Sequence, residues 1–145
     1  MAWYSKGVRF ECQRCGHCCG GEPGNVFISP DDVQRIASHL CISSGDFLSQ
    51  YCREVDMGSY YQTSLKERED YSCIFLTDKG CAIYEVRPLQ CRTYPFWPYI
   101  FSDRALLEAE KAQCPGIGKG EVHDETEIRN CLSAMTKEKV VTRVK

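Results

Sequence analysis

Residues 12–19 read Cys-Gln-Arg-Cys-Gly-His-Cys-Cys, a C-x-x-C-x-x-C-C run. Four thiols within eight residues leave a chain few options: the backbone must bend around whatever those sulfurs hold. Two residues between ligands let the chain turn so that both sulfurs face one metal ion, with freed backbone N–H groups directed at them. The third cysteine repeats that spacing, as in cluster-binding runs. Adjacent side chains rarely aim at one point, so Cys18 and Cys19 serve different sites or different jobs. Gly20 and Gly21 then permit a tight bend close to a metal.

The chain has 145 residues and 11 cysteines, at 12, 15, 18, 19, 41, 52, 73, 81, 91, 114 and 131. How they are read depends on compartment. Residues 1–7 lack the apolar stretch of a signal peptide, and no window approaches 18 consecutive apolar residues. A cytoplasmic protein without a membrane span is expected. In a reducing compartment such cysteine density argues for metal rather than disulfides, and an odd count suits simple pairing poorly. A net charge of −2 gives no electrostatic case for nucleic acid or an anionic membrane. The length suggests one domain, residues 1–145.

Along the chain, Val8, Phe10 and Cys12 alternate with Arg9 and Glu11, as in a short strand. Ser29, Pro30, Asp31 and Asp32 form a helix start, and Val33, Ile36, Ala37 and Leu40 mark its apolar face. A second helix runs from Ser43 or Ser44 to about Arg53 and buries Phe47, Leu48 and Tyr51. Cys41 and Cys52 fall in these apolar patterns and read as ordinary buried thiols, like Cys131 on a final amphipathic helix over 126–137. Residues 54–72 suggest strand, then a charged exposed loop. Residues 73–76 and 81–84 suggest a β-hairpin closed by Thr77-Asp78-Lys79-Gly80, followed by a short helix opened by Pro88. The aromatic, proline-rich stretch 94–99 cannot be a regular helix, and a packed core loop is favoured over a recognition surface. Residues 100–113 fit either a helix or another hairpin. Cys114-Pro115 and the glycines at 116, 118 and 120 read as a turn: Gly118-Lys119 lacks the upstream glycine and the Ser/Thr of a phosphate loop. Residues 137–145 form a basic tail expected to fray.

Three blocks, C-x-x-C-x-x-C-C at 12–19, the stretch 73–96 and C-P-G-I-G-K-G at 114–120, together resemble the YkgJ-type CxxCxxCC cysteine-cluster family. That family is described as a zinc- or iron-chelating domain, and a related module occurs in flagellin lysine N-methylases. The resemblance covers about residues 8–120, leaving a C-terminal helix and tail over 121–145. It implies eight metal ligands: Cys12, Cys15, Cys18, Cys19, Cys73, Cys81, Cys91 and Cys114.

Eight thiolates divide into two four-sulfur sites, and both zinc and a [4Fe–4S] cluster accept four cysteines. Three cysteines at ferredoxin-like spacing with a distant Cys-Pro tilt the balance towards iron–sulfur, with zinc as the alternative. The working partition is Cys12, Cys15, Cys18 and Cys114 for one site, and Cys19, Cys73, Cys81 and Cys91 for the other. Arg14, Arg87 and Arg92 stand close enough in sequence to offset thiolate charge or simply to solvate the surface. His17 reads as a non-ligand, and Tyr84 and Tyr94 as packing residues. The expected fold is a small α+β domain of short helices and β-hairpins around a cysteine-rich centre. Two function classes follow: a redox or accessory protein serving an oxidoreductase or methylating enzyme, and a zinc-stapled interaction module using residues 94–101. Metal storage or delivery is a third. No independent catalytic motif is present.

Overall fold

The computed structural model describes residues 2–13 and 24–145. The architecture is α+β, with short helices beside small antiparallel sheets. The chain forms two compact units, Met1–Cys18 with Thr93–Lys137, and Cys19–Arg92 with Glu138–Lys145.

In the first unit, strand β1 (Val8–Phe10) pairs antiparallel with a later strand, Ile117–His123. The alternation of Val8 and Phe10 with Arg9 is the pattern of a half-buried strand. The long strand, β6 in chain order, covers the stretch expected to be a turn. The glycines do bend it: the register passes from Arg9↔Val122 to Phe10↔Ile117, so the intervening residues bulge. Gly118 and Gly120 take the left-handed φ values (94° and 77°) that the bulge requires. Helices α4 (Pro98–Phe101), α5 (Arg104–Lys111) and α6 (Glu125–Lys137) complete this unit. Asp103 caps α5 by accepting from Ala105 N, which decides residues 100–113 for helix over hairpin. The core holds Tyr94, Phe96, Ile100, Phe101, Leu107, Cys114, Ile117 and Ile128. The aromatic stretch is therefore largely interior, as its packed-loop reading expects. Tyr99 alone of its rings is mostly exposed, at 73%. Cys131 is half-buried and packs against this core from α6.

In the second unit, α1 (Pro30–Leu40) starts on a full capping box between Ser29 and Asp32. Helix α2 (Ser44–Tyr51) is capped by Ser43 and stops before Cys52, which opens β2 (Cys52–Asp56). That strand pairs with β3 (Tyr60–Leu65), and β7 (Thr142–Val144) adds to the other side of β3. The C-terminal residues do not fray here. Val141 exchanges backbone hydrogen bonds with Ile28 and Thr63, and Arg143 grips Glu54 with two hydrogen bonds of 2.7 and 3.0 Å. The basic tail finds acidic partners on β2, which composition alone does not reveal. The expected hairpin is present but short: β4 (Leu76–Thr77) and β5 (Gly80–Cys81). Cys73 precedes it in a turn closed by Leu76 N donating to Cys73 O at 2.9 Å. A 3-10 turn (Tyr84–Val86) precedes Pro88, and helix α3 (Leu89–Thr93) follows it as anticipated. The core is Ile28, Val33, Ile36, Ala37, Phe47, Cys52, Leu65, Phe75 and Ile83.

Candidate metal centre

Cys12 and Cys114 lie just beyond the paired ends of β1 and β6. Phe10 faces Ile117, and Glu11 N donates to Gly116 O at 3.1 Å. Cys12 follows Glu11 on one segment, and Cys114-Pro115 precedes Gly116 on the other. A side chain at position 116 would be blocked, because a Cβ there would lie 2.1 Å from Glu11 O. Glycine is thus the residue that lets the two cysteine-bearing segments touch backbone to backbone. Cys114 ends the turn after α5, its N–H donating to Glu110 O at 3.0 Å. The Glu110 carboxylate in turn accepts from Tyr94 Oη. His123 Nε2 lies 3.0 Å from Phe10 O and its Nδ1 2.9 Å from Glu127 Oε2, holding the end of β1.

Cys73, Cys81 and Cys91 belong to the second unit, where each is half-buried. Cys81 stands opposite Leu76 in the hairpin, and both Cys73 and Cys81 pack against the core containing Phe75 and Ile83. The turn bearing Cys73 is held by Arg68, whose guanidinium donates to Ile74 O and Leu76 O, both at 2.8 Å. Cys91 lies on α3, and Asp32 fixes the start of that helix. Its buried carboxylate accepts from Leu89 N at 3.2 Å through Oδ1 and from Ser29 N at 3.1 Å through Oδ2. One side chain therefore caps two helices. Arg35 and Arg92 both donate to Arg87 O, at 3.0 and 3.1 Å. Arg87 donates to Tyr84 O at 2.8 Å and lies 3.8 Å from the Tyr84 ring centroid. Arg87 and Arg92 thus serve the backbone ahead of Cys91, a structural role alongside any electrostatic one.

One stretch connects these loops. Residues 24–27 follow the cysteine run, and their polar groups are gripped from several directions. Glu67, which bridges to Cys73 in a β-type contact, accepts from Gly24 N at 3.3 Å. Gln90, beside Cys91, accepts from Phe27 N at 3.2 Å and donates to Asn25 O at 2.9 Å. Sequence reasoning missed Asp32, Glu67, Arg68 and Gln90 as supports. The signal within reach was position: Gln90 lies next to a motif cysteine, and Gly116 just beyond another.

Cys15, Cys18 and Cys19, with Arg14 and His17, lie outside the described residues. Among the described residues, no three Cys, His, Asp or Glu side chains converge closely enough to hold an ion. The donor set nevertheless suits a soft metal: each unit supplies thiols from the motif, two in the first and three in the second among the described residues. The three cysteines outside the motifs behave differently. Cys52 is 6% exposed, and burial pushes its thiol up to about 12, so it stays protonated. Cys41, expected to be buried, is exposed. It ends α1 in the left-handed conformation at φ 59°, where its N–H satisfies the last carbonyls and the chain turns outward. Helical periodicity had placed it on an apolar face, but the helix stops one residue earlier.

The family described as "CxxCxxCC: Putative zinc- or iron-chelating domain" matches residues 11–115. Two uncharacterized proteins of Methanocaldococcus jannaschii are similar. MJ0661 is 33% identical over 129 residues, covering 84% of this chain and 66% of its own length. MJ0939 is 27% identical over 123 residues, covering 81% of this chain and 40% of its own. The chain thus spans just under two thirds of one relative and two fifths of the other. No solved structure matches it. Among the described residues, no helix is long and apolar enough to cross a membrane.

Proposed function

The chain belongs to the CxxCxxCC family of zinc- or iron-chelating domains, and from that premise we propose that its eight motif cysteines form two four-sulfur sites, the first carrying an iron–sulfur cluster. The observation that carries this reading is how the motif cysteines divide. Cys12 and Cys114 belong to one unit, on the two segments that the Glu11–Gly116 backbone hydrogen bond joins, while Cys73, Cys81 and Cys91 belong to the other. Cys18 and Cys19 are adjacent in the sequence, and neighbouring side chains rarely aim at one point. Cys12, Cys15, Cys18 and Cys114 would then hold the first site, with ferredoxin-like spacing. Cys19, Cys73, Cys81 and Cys91 would hold the second.

Bound there, a cluster supplies one-electron redox chemistry. The chain's own residues limit where its thiols stand and what reaches them. Cys114 is 9% exposed and belongs to the core with Tyr94 and Phe96, with Phe10 packed against it, which supports a first site shielded from water on the Cys114 side. We assign the protein a redox or accessory role beside a partner enzyme, an oxidoreductase or a methylating enzyme. Zinc at the second site is the competing reading, since its ligands come from well-separated loops, as in structural zinc centres.

Anaerobic purification with an absorption spectrum and assays for iron, zinc and acid-labile sulfide tests the proposal. A brown protein absorbing near ~400 nm with matched iron and sulfide supports it. A colourless protein holding zinc alone replaces the redox role with a structural one. A chain that retains neither metal overturns both.

A further inference from the structure

The sheet of the second unit runs β2-β3-β7, and among the described residues no strand pairs with the outer side of β7. Every β7 residue is exposed, Val144 at 78%. Which backbone groups face that open side follows from the hydrogen bonds of β3. Met57 N donates to Tyr60 O at 2.8 Å, so Tyr60 and Gln62 turn their backbone groups towards β2. Thr63 N donates to Val141 O at 2.9 Å, so Thr63 and Tyr61 turn theirs towards β7. Arg143, opposite Tyr61, therefore gives its N–H and C=O to β3, and Thr142 and Val144 direct theirs outward.

Open edges are normally blunted by charge, proline or a bulge. The β7 strand has no proline, and its register with β3 runs without a shift. Its cations fold back over the sheet. The Arg143 guanidinium lies 4.6 Å from the Tyr61 ring centroid on its way to Glu54, and Lys145 Nζ lies 5.0 Å from the same ring and 2.8 Å from Asp56 Oδ1. Glu54 and Asp56 belong to β2, on the far side of β3, so both charges are neutralised and aimed away from the open edge. On the opposite face the edge presents Thr142 and Val144, uncharged and β-branched.

We propose that this edge is a self-association surface, with β7 pairing antiparallel to β7 of a second copy of the chain. The strand's own pattern selects that occupant. With a two-fold axis at Arg143, Thr142 stands opposite Val144 of the other copy, and the outward N–H and C=O of each meet those of the other. Each such pair is β-branched on both sides, which suits cross-strand packing. The two Arg143 side chains come opposite one another, a repulsive arrangement for free charges, but Glu54 of the same copy already compensates each. A strip this short buries far less than the ~1,200 Å² of a stable interface, so association is weak and grows with protein concentration.

Analytical ultracentrifugation of the full chain over a wide concentration range tests the proposal, under reducing conditions that keep exposed Cys41 from linking copies. The average mass should climb from monomer towards dimer. Val144→Pro removes an N–H that faces outward and leaves the pairing with β3 in place, so its melting curve should follow the wild type. It deletes half of the hydrogen bonds between copies, and the dissociation constant should rise about tenfold or more. Val144→Lys sets a charge on the open edge and should weaken the dimer likewise, which keeps the test standing if the proline variant fails to fold. A wild type that stays monomeric at every concentration overturns the proposal and leaves the edge to a foreign strand or to solvent. A dimer that the folded Val144 variants leave untouched overturns it too, since the contact then lies elsewhere.

Discussion

Cys52 and Cys41 share a residue type, yet their surroundings make them opposites. Burial holds the Cys52 thiol protonated up to about pH 12, whereas Cys41 sits exposed at a helix end. Brief iodoacetamide treatment of the folded protein at pH 8, read by peptide mass spectrometry, should label Cys41 and leave Cys52 unmodified until the chain is denatured. Glu138 gives a second expectation. Burial, then the nearby Asp32 carboxylate, raise its pKa from 4.5 to about 7 against the opposing pull of Arg92, and its Oε2 has no hydrogen-bond partner among the described residues. The folded-state pKa lies above the unfolded one, so the contribution to stability is full below about pH 4.5 and is lost as pH rises through about 7. Glu138→Gln should flatten that decline and stabilise the protein at pH 8. Because the carboxyl is only partly buried, screening reduces the gain to about 1 kcal/mol, or about 2–4 °C in melting temperature.

Two glycine- and carboxylate-dependent junctions govern how elements join. Gly116→Ala would drive a methyl into Glu11 O, so β1 must move away from β6. A loss of roughly 2 kcal/mol or more is expected, as for strain at a close backbone approach, with weaker retention of whatever Cys12 and Cys114 hold. Circular dichroism melting and metal analysis of the same sample check both. Asp32→Ala uncaps α1 and strands Leu89 N at the start of α3, for about 1–3 kcal/mol. Local signals foretold part of this. The Ser29-Pro30-Asp31-Asp32 start and the Thr77–Gly80 hairpin turn are written in neighbouring residues, and both are present. The second job of Asp32, on Leu89, was invisible because its partner lies 57 positions away. Likewise, the glycines at 116–120 look like a turn until β1 arrives to pair across them. The tail at 138–145 looks like fraying charge until Glu54 and Asp56 meet Arg143 and Lys145. Periodicity sees one segment at a time, and these contacts need two.

The cysteine pattern carried family membership in full, while the support around it came only with the fold. If metal ligation supplies much of the folding free energy, Cys15→Ser should lower metal content and melting temperature together. A metal-poor variant that melts with the wild type would place the stability in the two apolar cores instead. Those cores are assembled from sequence segments that do not lie end to end: the first unit begins and resumes on either side of the second, and the second closes with residues beyond both. The pairing of β3 with β7 has a consequence for the order of synthesis. On the ribosome, Cys12 through Cys114 are all translated before Thr142–Val144, so every motif thiol leaves the exit tunnel before the strand that completes that sheet. During that interval the nascent chain offers its sulfurs without its finished scaffold, so loading before release would act on a more open chain than loading afterwards.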